Sequence, residues 1–140
     1  MCFYLAYVST ATRLFDQQDL EALLATCRSH NKANGISGAL IYAGGTFMQV
    51  IEGDEDEVRA LYRRIRRDPR HHDLIKLDEG EEEDREFGDW SMAFRDLTGR
   101  MDEVPGFVEL VEYLPQLEEG DPSQLRRLLA TARKEMQAVL

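Results

Sequence analysis

The sequence predicts an α+β fold in which two helices cover one face of a mixed five-stranded sheet, in the chain order βαββαββ. Five short segments rich in aromatic and β-branched residues have the composition of strands. Two segments between them repeat apolar residues at helical spacing. This order is that of a ferredoxin-like sandwich, and the chain is expected to continue with C-terminal helices on the other face of the sheet.

The first predicted strand covers residues 2–9, an aromatic and β-branched run that ends at a polar turn. Asp16 is a suitable N-cap for the first helix, and Gly35 is a suitable stop. The apolar stripe of this helix consists of Leu20, Leu23, Leu24 and Cys27. Strands at 36–43 and 46–52 then flank a Gly-Gly pair that tolerates positive φ, so a β-hairpin is expected.

The second predicted helix begins after Asp54 and ends before Pro69. Its first turn is acidic and its last turn is basic, which complements the helix dipole. Its apolar stripe consists of Val58, Leu61, Tyr62 and Ile65.

The second half of the chain predicts two more strands, at 72–78 and 86–97, separated by an acidic loop from Gly80 to Arg85. These strands complete a domain spanning residues 1–97. A helical extension is expected over 98–140, with one helix near 107–114 and another after Asp121.

Composition excludes several classes of protein. A net charge of -10 would repel phosphate backbones, so direct nucleic-acid binding is not expected. No apolar run is long enough to span a membrane, and the first strand starts too close to Met1 to leave room for a signal peptide. Cys2 and Cys27 lack CxxC spacing and form no metal-binding cluster with histidine. Free thiols in a reducing cytoplasm are therefore expected.

Strand alternation places Tyr7 and Gln49 on the same face of the sheet, among apolar neighbours. A buried glutamine amide without partners costs about 1–3 kcal/mol, so Gln49 must be hydrogen-bonded. The pattern alone leaves two interpretations open: a structural Tyr–Gln hydrogen bond, or a polar site inside a pocket. The opposite face is also apolar, so either the C-terminal helices or a partner subunit should cover it.

Five strings carry a resemblance to the BLUF family, sensors of blue light using flavin. They are YVSTAT at 7–12, HNKANGISGALIY at 30–42, FMQVIEGD at 47–54, RDPRHHD at 67–73 and FGDWSMAF at 87–94. They occur in the family's order and span about residues 1–94. The resemblance implies a blue-light photoreceptor, not an enzyme, that holds a flavin without a covalent bond.

The resemblance also implies roles for particular residues. Tyr7 would donate a hydrogen bond to Gln49, and excited flavin would take an electron from Tyr7 while a proton moves through Gln49. Asn31 would bind the pyrimidine edge of the flavin, and Arg64 would lie near its C2 carbonyl. The expected flavin contacts are Tyr7, Ser9, Leu24, His30, Asn31, Gln49, Arg64, Ile65, Arg70 and His71, with Leu23 as the alternative to Leu24. Trp90 and Met92 match the pair linked to signalling. Without the resemblance, each of these residues could equally have a purely structural role.

The implied cofactor is FAD, with FMN and riboflavin as alternatives. The implied partners are a separate signalling protein and further copies of this chain, since the 40-residue extension is too short for a catalytic output domain. The alternative functions are a hydrolase resembling acylphosphatases and a regulatory dimer that binds a metabolite. The hydrolase would use Arg13 in the first loop, but that loop lacks a glycine-rich phosphate cradle.

Overall fold

The computed structural model of the protein describes residues 1–85, 87–88, 91–96 and 98. The predicted α+β fold is confirmed: two helices accompany an antiparallel sheet of four strands, and a short fifth strand follows them. In chain order the elements are β1 (Cys2–Ala11), α1 (Gln17–Ala33), β2 (Ser37–Ala43), β3 (Thr46–Gly53), α2 (Glu55–Arg66), β4 (His71–Glu82) and β5 (Ala93–Asp96).

The strands lie in the order β4-β1-β3-β2-β5, so β1 and β3 are at the centre of the sheet. Both neighbours of β1 run antiparallel to it, as do the two strands of the β2–β3 hairpin. Tyr7 on β1 pairs with Gln49 on β3, and Leu40 on β2 pairs with Gln49 from the other side. Strand β5 lies parallel to β2 at the edge. This register places the predicted polar pair in the middle of the sheet.

Local chemistry explains where most elements begin and end. Asp16 caps α1 with a reciprocal capping box, in which Asp16 and Asp19 each accept the backbone N–H of the other. Gly35 follows α1 with φ +66°, a conformation that favours glycine. Asp54 occupies the N-cap position of α2, but its side chain makes no capping hydrogen bond. Neither helix is long and apolar enough to cross a membrane.

The hydrophobic core lies between the helices and one face of the sheet. It includes Leu5, Tyr7, Leu20, Leu24, Tyr42, Ile51, Val58 and Tyr62. The opposite face is also buried: Ala6, Ile41 and Met48 are 0% exposed although α1 and α2 lie on the other side. The helices predicted to cover that face fall within 98–140, which lies outside the described residues apart from Thr98.

Two predicted boundaries are wrong. The acidic segment predicted as a loop from Gly80 is strand up to Glu82, because it pairs with β1 as far as Cys2. It forms an edge strand, where charged residues are readily tolerated. Within the strand predicted at 86–97, the described residues form strand only over Ala93–Asp96. Before it, Phe87 donates its backbone N–H to the Glu52 carboxylate instead of to a neighbouring strand.

Candidate functional site

A cleft opens between α1 and α2, above the face of the sheet that the helices cover. Its walls come from both helices and its floor comes from the central strands. The lining residues are Tyr7, Phe15, Leu23, Thr26, Cys27, His30, Asn31, Leu40, Phe47, Gln49, Leu61, Arg64, Ile65, Asp68, Arg70 and His71. About half of these side chains are aliphatic or aromatic, and the polar groups converge on the same space from different elements, which is the usual character of a small-molecule site.

Tyr7 and Gln49 are hydrogen-bonded to each other at the floor of the cleft. The Tyr7 hydroxyl donates to Gln49 Oε1, and both residues are at most 4% exposed. Gln49 Nε2 donates to Met92 Sδ at 3.5 Å. A thioether sulfur has no hydrogen to donate, so this contact fixes the amide with its nitrogen toward Met92 and its oxygen toward Tyr7.

The surroundings of Tyr7 keep its hydroxyl protonated. Burial raises the pKa of Tyr7 well above its ordinary value of 10.0, with smaller contributions from Cys27 and Tyr62. The Tyr62 ring lies 5.7 Å from the Tyr7 ring, and the His71 ring packs edge-on at 6.3 Å. Tyr7 is therefore a neutral phenol whose proton points at an amide oxygen, an arrangement suited to the coupled loss of an electron and a proton.

Asn31 is the polar residue that α1 contributes to the interior of the cleft. Its side chain is 1% exposed, and its Nδ2 donates to the Ser91 carbonyl at 2.8 Å. Its amide oxygen receives no hydrogen bond from the described residues. That buried oxygen is an acceptor that a ligand with an N–H group would satisfy.

His30 and Arg64 meet at the mouth of the cleft and link the two helices. One guanidinium nitrogen of Arg64 lies 2.8 Å from His30 Nδ1. Burial lowers the pKa of His30, and the nearby Arg64 charge lowers it further. His30 is therefore held as a neutral acceptor for the Arg64 guanidinium.

His71 connects the end of α2 to β1 beneath the cleft. Its Nε2 lies 2.6 Å from the Ile65 carbonyl, which only accepts, so Nε2 carries the proton. Its Nδ1 then accepts from the Ser9 hydroxyl at 2.8 Å. Nearby, Arg70 forms a salt bridge with Asp68, whose pKa the guanidinium hydrogen bonds lower.

Most of the residues predicted from sequence come together around this cleft. Tyr7, His30, Asn31, Gln49, Arg64, Ile65, Arg70 and His71 all line it. Two predicted contacts do not: Leu24 packs in the core, so Leu23 takes its place in the wall, and Ser9 lies behind His71. Met92 is buried beneath the cleft against Gln49, whereas Trp90 lies outside the described residues.

Several lining residues were missed, including Thr26, Cys27 and Leu61. Leu23, Cys27 and His30 lie at i, i+4 and i+7 on α1, a spacing that places them on one side of the helix but does not show that this side faces a cleft. The structure argues against the alternative of a phosphate-binding hydrolase, because the Arg13 side chain that would bind phosphate is paired with a carboxylate. Both terminal nitrogens of Arg13 bind the Asp19 carboxylate, at 2.9 and 3.0 Å.

Comparison with known protein families and their members agrees with this geometry. The model of the BLUF family, described as sensors of blue-light using FAD, matches residues 2–93. Photoactivated adenylate cyclase subunit beta from Euglena longa is 36% identical over 90 residues, which are 64% of this chain and 10% of that protein. The blue light- and temperature-regulated antirepressor BluF from Escherichia coli is 32% identical over 78 residues, 56% of this chain and 19% of that protein. The chain thus spans a small part of the length of these curated relatives.

Solved structures with the same fold include proteins of similar length. The dark-state structure of BlrB, a BLUF protein, has a TM-score of 0.77 and 27% identity, and the match covers 99% of this chain and 97% of that one. The ground state of BlsA has a TM-score of 0.75 and 28% identity, covering 95% of this chain and 88% of that one. A bacterial light-regulated adenylyl cyclase has a TM-score of 0.68 and 26% identity, covering 93% of this chain and 36% of that one.

Proposed function

Because this chain belongs to the BLUF family, we propose that it is a blue-light photoreceptor that binds a flavin without a covalent bond in the cleft between α1 and α2. The observation that carries the proposal is the buried hydrogen bond from the Tyr7 hydroxyl to Gln49 Oε1. A phenol can release an electron and a proton together. An amide can present either a donor or an acceptor by rotating, so the pair has the properties of a two-state switch.

The cleft suits the ring system of a flavin. Leu23, Leu61 and Ile65 provide apolar walls for its flat faces. The pyrimidine edge of the ring carries carbonyl acceptors and one N–H donor. The unsatisfied Asn31 oxygen complements that N–H, and the Arg64 guanidinium complements a carbonyl. Arg70 and His71 border the same cleft.

Tyr7 and Gln49 would perform the chemistry of the switch. When bound, the flavin supplies an excited state that accepts one electron from a nearby donor. Tyr7 is that donor, and its hydroxyl proton passes to Gln49 Oε1 as the electron leaves. On return of the electron and proton, the Gln49 amide is left rotated or tautomerised.

The contact between Gln49 and Met92 gives the switch a route to the rest of the protein. A rotated amide presents its oxygen to Met92 Sδ, and neither atom has a hydrogen to share. The hydrogen bond seen at 3.5 Å is therefore lost when the amide rotates. Met92 and the segment that contains it are then free to take a second position. Trp90, two residues earlier, is proposed to move with it.

The output is proposed to pass to a separate signalling protein or through an assembly of this chain with itself. The relatives that match this sequence include cyclase subunits and an antirepressor, by their names. Either the C-terminal extension or a partner subunit is proposed to cover the buried second face of the sheet.

FAD is the proposed cofactor, with FMN and riboflavin as alternatives, because the family is described as using FAD. The three share the ring system that the cleft would hold. They differ only in the chain attached to that ring system. Reconstitution of the flavin-free protein with each of them would identify the preferred one.

Absorption spectroscopy tests the proposal directly. The purified protein loaded with FAD should be yellow, and blue light should shift its flavin bands slightly to the red, with recovery in the dark. Tyr7→Phe and Gln49→Leu should bind FAD without the shift. Tyr62→Phe is the matched control, because Tyr62 packs against the Tyr7 ring and its hydroxyl makes no hydrogen bond with the described residues. It should keep the shift. Colourless protein that cannot be reconstituted, or a normal photocycle in Tyr7→Phe, refutes the proposal.

A further inference from the structure

Helix α1 holds the segment around Met92 by two side chains that are one helical turn apart. Arg28 Nε donates to the Met92 carbonyl at 3.0 Å, and Asn31 Nδ2 donates to the Ser91 carbonyl at 2.8 Å. Residues three apart lie on the same side of a helix, so the two donors act as a clamp on consecutive carbonyls. Asn31 is buried and lines the cleft, whereas Arg28 is exposed and does not line it.

The clamp limits the positions that the Met92 backbone, and with it the Met92 side chain, can occupy. Met92 is 1% exposed, so packing confines its side chain and a shift of its backbone also moves its sulfur. Met92 precedes β5, and its backbone is not part of the sheet ladder. The Arg28 bond to its carbonyl therefore helps to hold Sδ within reach of Gln49 Nε2.

We propose that Arg28 is a positioning residue of the light switch, which stabilises the dark-state contact between Met92 and Gln49 and thereby sets the rate of return to the dark state. The inference rests on the proposed function, because it assumes that the Gln49–Met92 contact is broken by light. Among the described residues, the Arg28 side chain hydrogen-bonds only the Met92 carbonyl, and it does not line the cleft, so it acts through Met92.

Recovery kinetics after a blue-light pulse provide the first test. Arg28→Leu removes every donor and should slow recovery by about two- to tenfold, the rate equivalent of one net hydrogen bond. Arg28→Lys keeps the charge and a donor, so it should restore part of the rate. Lys32→Leu removes the same charge from an exposed position on the same helix and should recover like the parent protein. Equal slowing in Lys32→Leu, or parental recovery in Arg28→Leu, overturns the inference.

Coupling to Met92 provides the second test. In a Met92→Leu background, Arg28→Leu should have no further effect on recovery, because the sulfur contact is already absent. Full additivity of the two changes overturns the inference.

A measurement in the dark separates this inference from the proposed function. With ¹³C-methyl methionine labelling, the Met92 signal is identified by its loss in Met92→Leu. Arg28→Leu should shift that signal in both the flavin-free and the FAD-loaded protein, whereas Lys32→Leu should not. An unmoved signal in Arg28→Leu overturns the role of Arg28. A parent protein without a red shift would instead refute the proposed photochemistry, and the methyl signal would still report on the clamp.

Discussion

The hydrogen bond between Tyr7 and Gln49 should contribute to stability in the absence of light. Tyr7→Phe removes only the hydroxyl, because the ring keeps its contacts with Tyr62 and His71. Gln49, which is 4% exposed, is then left with an Oε1 acceptor that has lost its hydrogen-bond donor. A buried acceptor without a partner costs about 1–3 kcal/mol. We expect a loss near the lower end in the flavin-free protein, because the cleft admits water.

The double change should cost less than the sum of the two single changes. Gln49→Leu alone leaves the Tyr7 hydroxyl without its acceptor, which carries a similar penalty. Tyr7→Phe with Gln49→Leu removes both partners, so no group is left unsatisfied. We expect the double variant to retain about 1 kcal/mol more stability than additivity predicts. At about 3–4 °C per kcal/mol for a chain of this length, each single change should lower the melting temperature by several degrees.

Urea unfolding of the flavin-free protein, followed by circular dichroism, measures these free energies. Tyr62→Phe serves as the control. It removes a hydroxyl that makes no hydrogen bond with the described residues, and it should change the free energy of unfolding by less than about 0.5 kcal/mol. Strictly additive losses from Tyr7→Phe and Gln49→Leu would show that the two side chains are not coupled. That result would refute the hydrogen bond as the central feature of the site.

Three further predictions follow from the same contacts. Leu24→Ala should lower the free energy of unfolding by about 2–4 kcal/mol because Leu24 is in the core. Leu23→Ala should instead mainly weaken flavin binding, measured by fluorescence titration. A larger loss of stability in Leu23→Ala, with weaker flavin binding in Leu24→Ala, would contradict the placement of the cleft wall. In a Cys2→Ser variant, the Cys27 thiol should react slowly with a thiol reagent because burial raises its pKa. Bound flavin should slow this reaction further. Equal reaction rates with and without flavin would show that the flavin binds elsewhere. The raised pKa of Tyr7 means that, above the ordinary value of 10.0, the unfolded chain loses this proton before the folded one does. The free energy of unfolding should therefore fall as pH rises beyond that value, and it should fall less steeply in Tyr7→Phe.

Strand alternation was enough to predict the central pair. The period of two placed Tyr7 and Gln49 on the same face, and the structure pairs their Cα atoms directly across β1 and β3. The capping of α1 by Asp16 was also readable locally, because the signal lies within four residues. These features depend on residues close in sequence or on a fixed geometric period, which is why a single sequence contains them.

Helical periodicity could not separate the core from the wall of the cleft. Leu20 and Leu24 pack in the core, whereas Leu23 and Cys27 face the cleft from an adjacent stripe of α1. Both environments select apolar side chains, so the same pattern predicts either. The distinction depends on the distance between α1 and α2, which is a tertiary property.

The extent of the last strand was mispredicted for a similar reason. Aromatic residues from Phe87 onward favour a strand, yet three backbone groups of the described residues there bind side chains. The N–H of Phe87 donates to Glu52, and the carbonyls of Ser91 and Met92 accept from α1. These bonds come from residues 35 to 64 positions away, and no local pattern contains them.

The contacts of the segment that contains Ser91 and Met92 favour it as the route by which the proposed signal leaves the site. Gln49 lies on β3, whose backbone is hydrogen-bonded to strands on both sides, and its neighbours Met48 and Val50 are at most 1% exposed on the second face. Displacing that backbone would break the hydrogen bonds of β3 to both neighbouring strands, whereas rotating the Gln49 amide breaks only side-chain contacts. Met92 is the buried side chain that accepts from that amide, and its own backbone is tethered by side chains of α1. We therefore infer that the change leaves the site through Met92, and that the second face responds only when this segment moves.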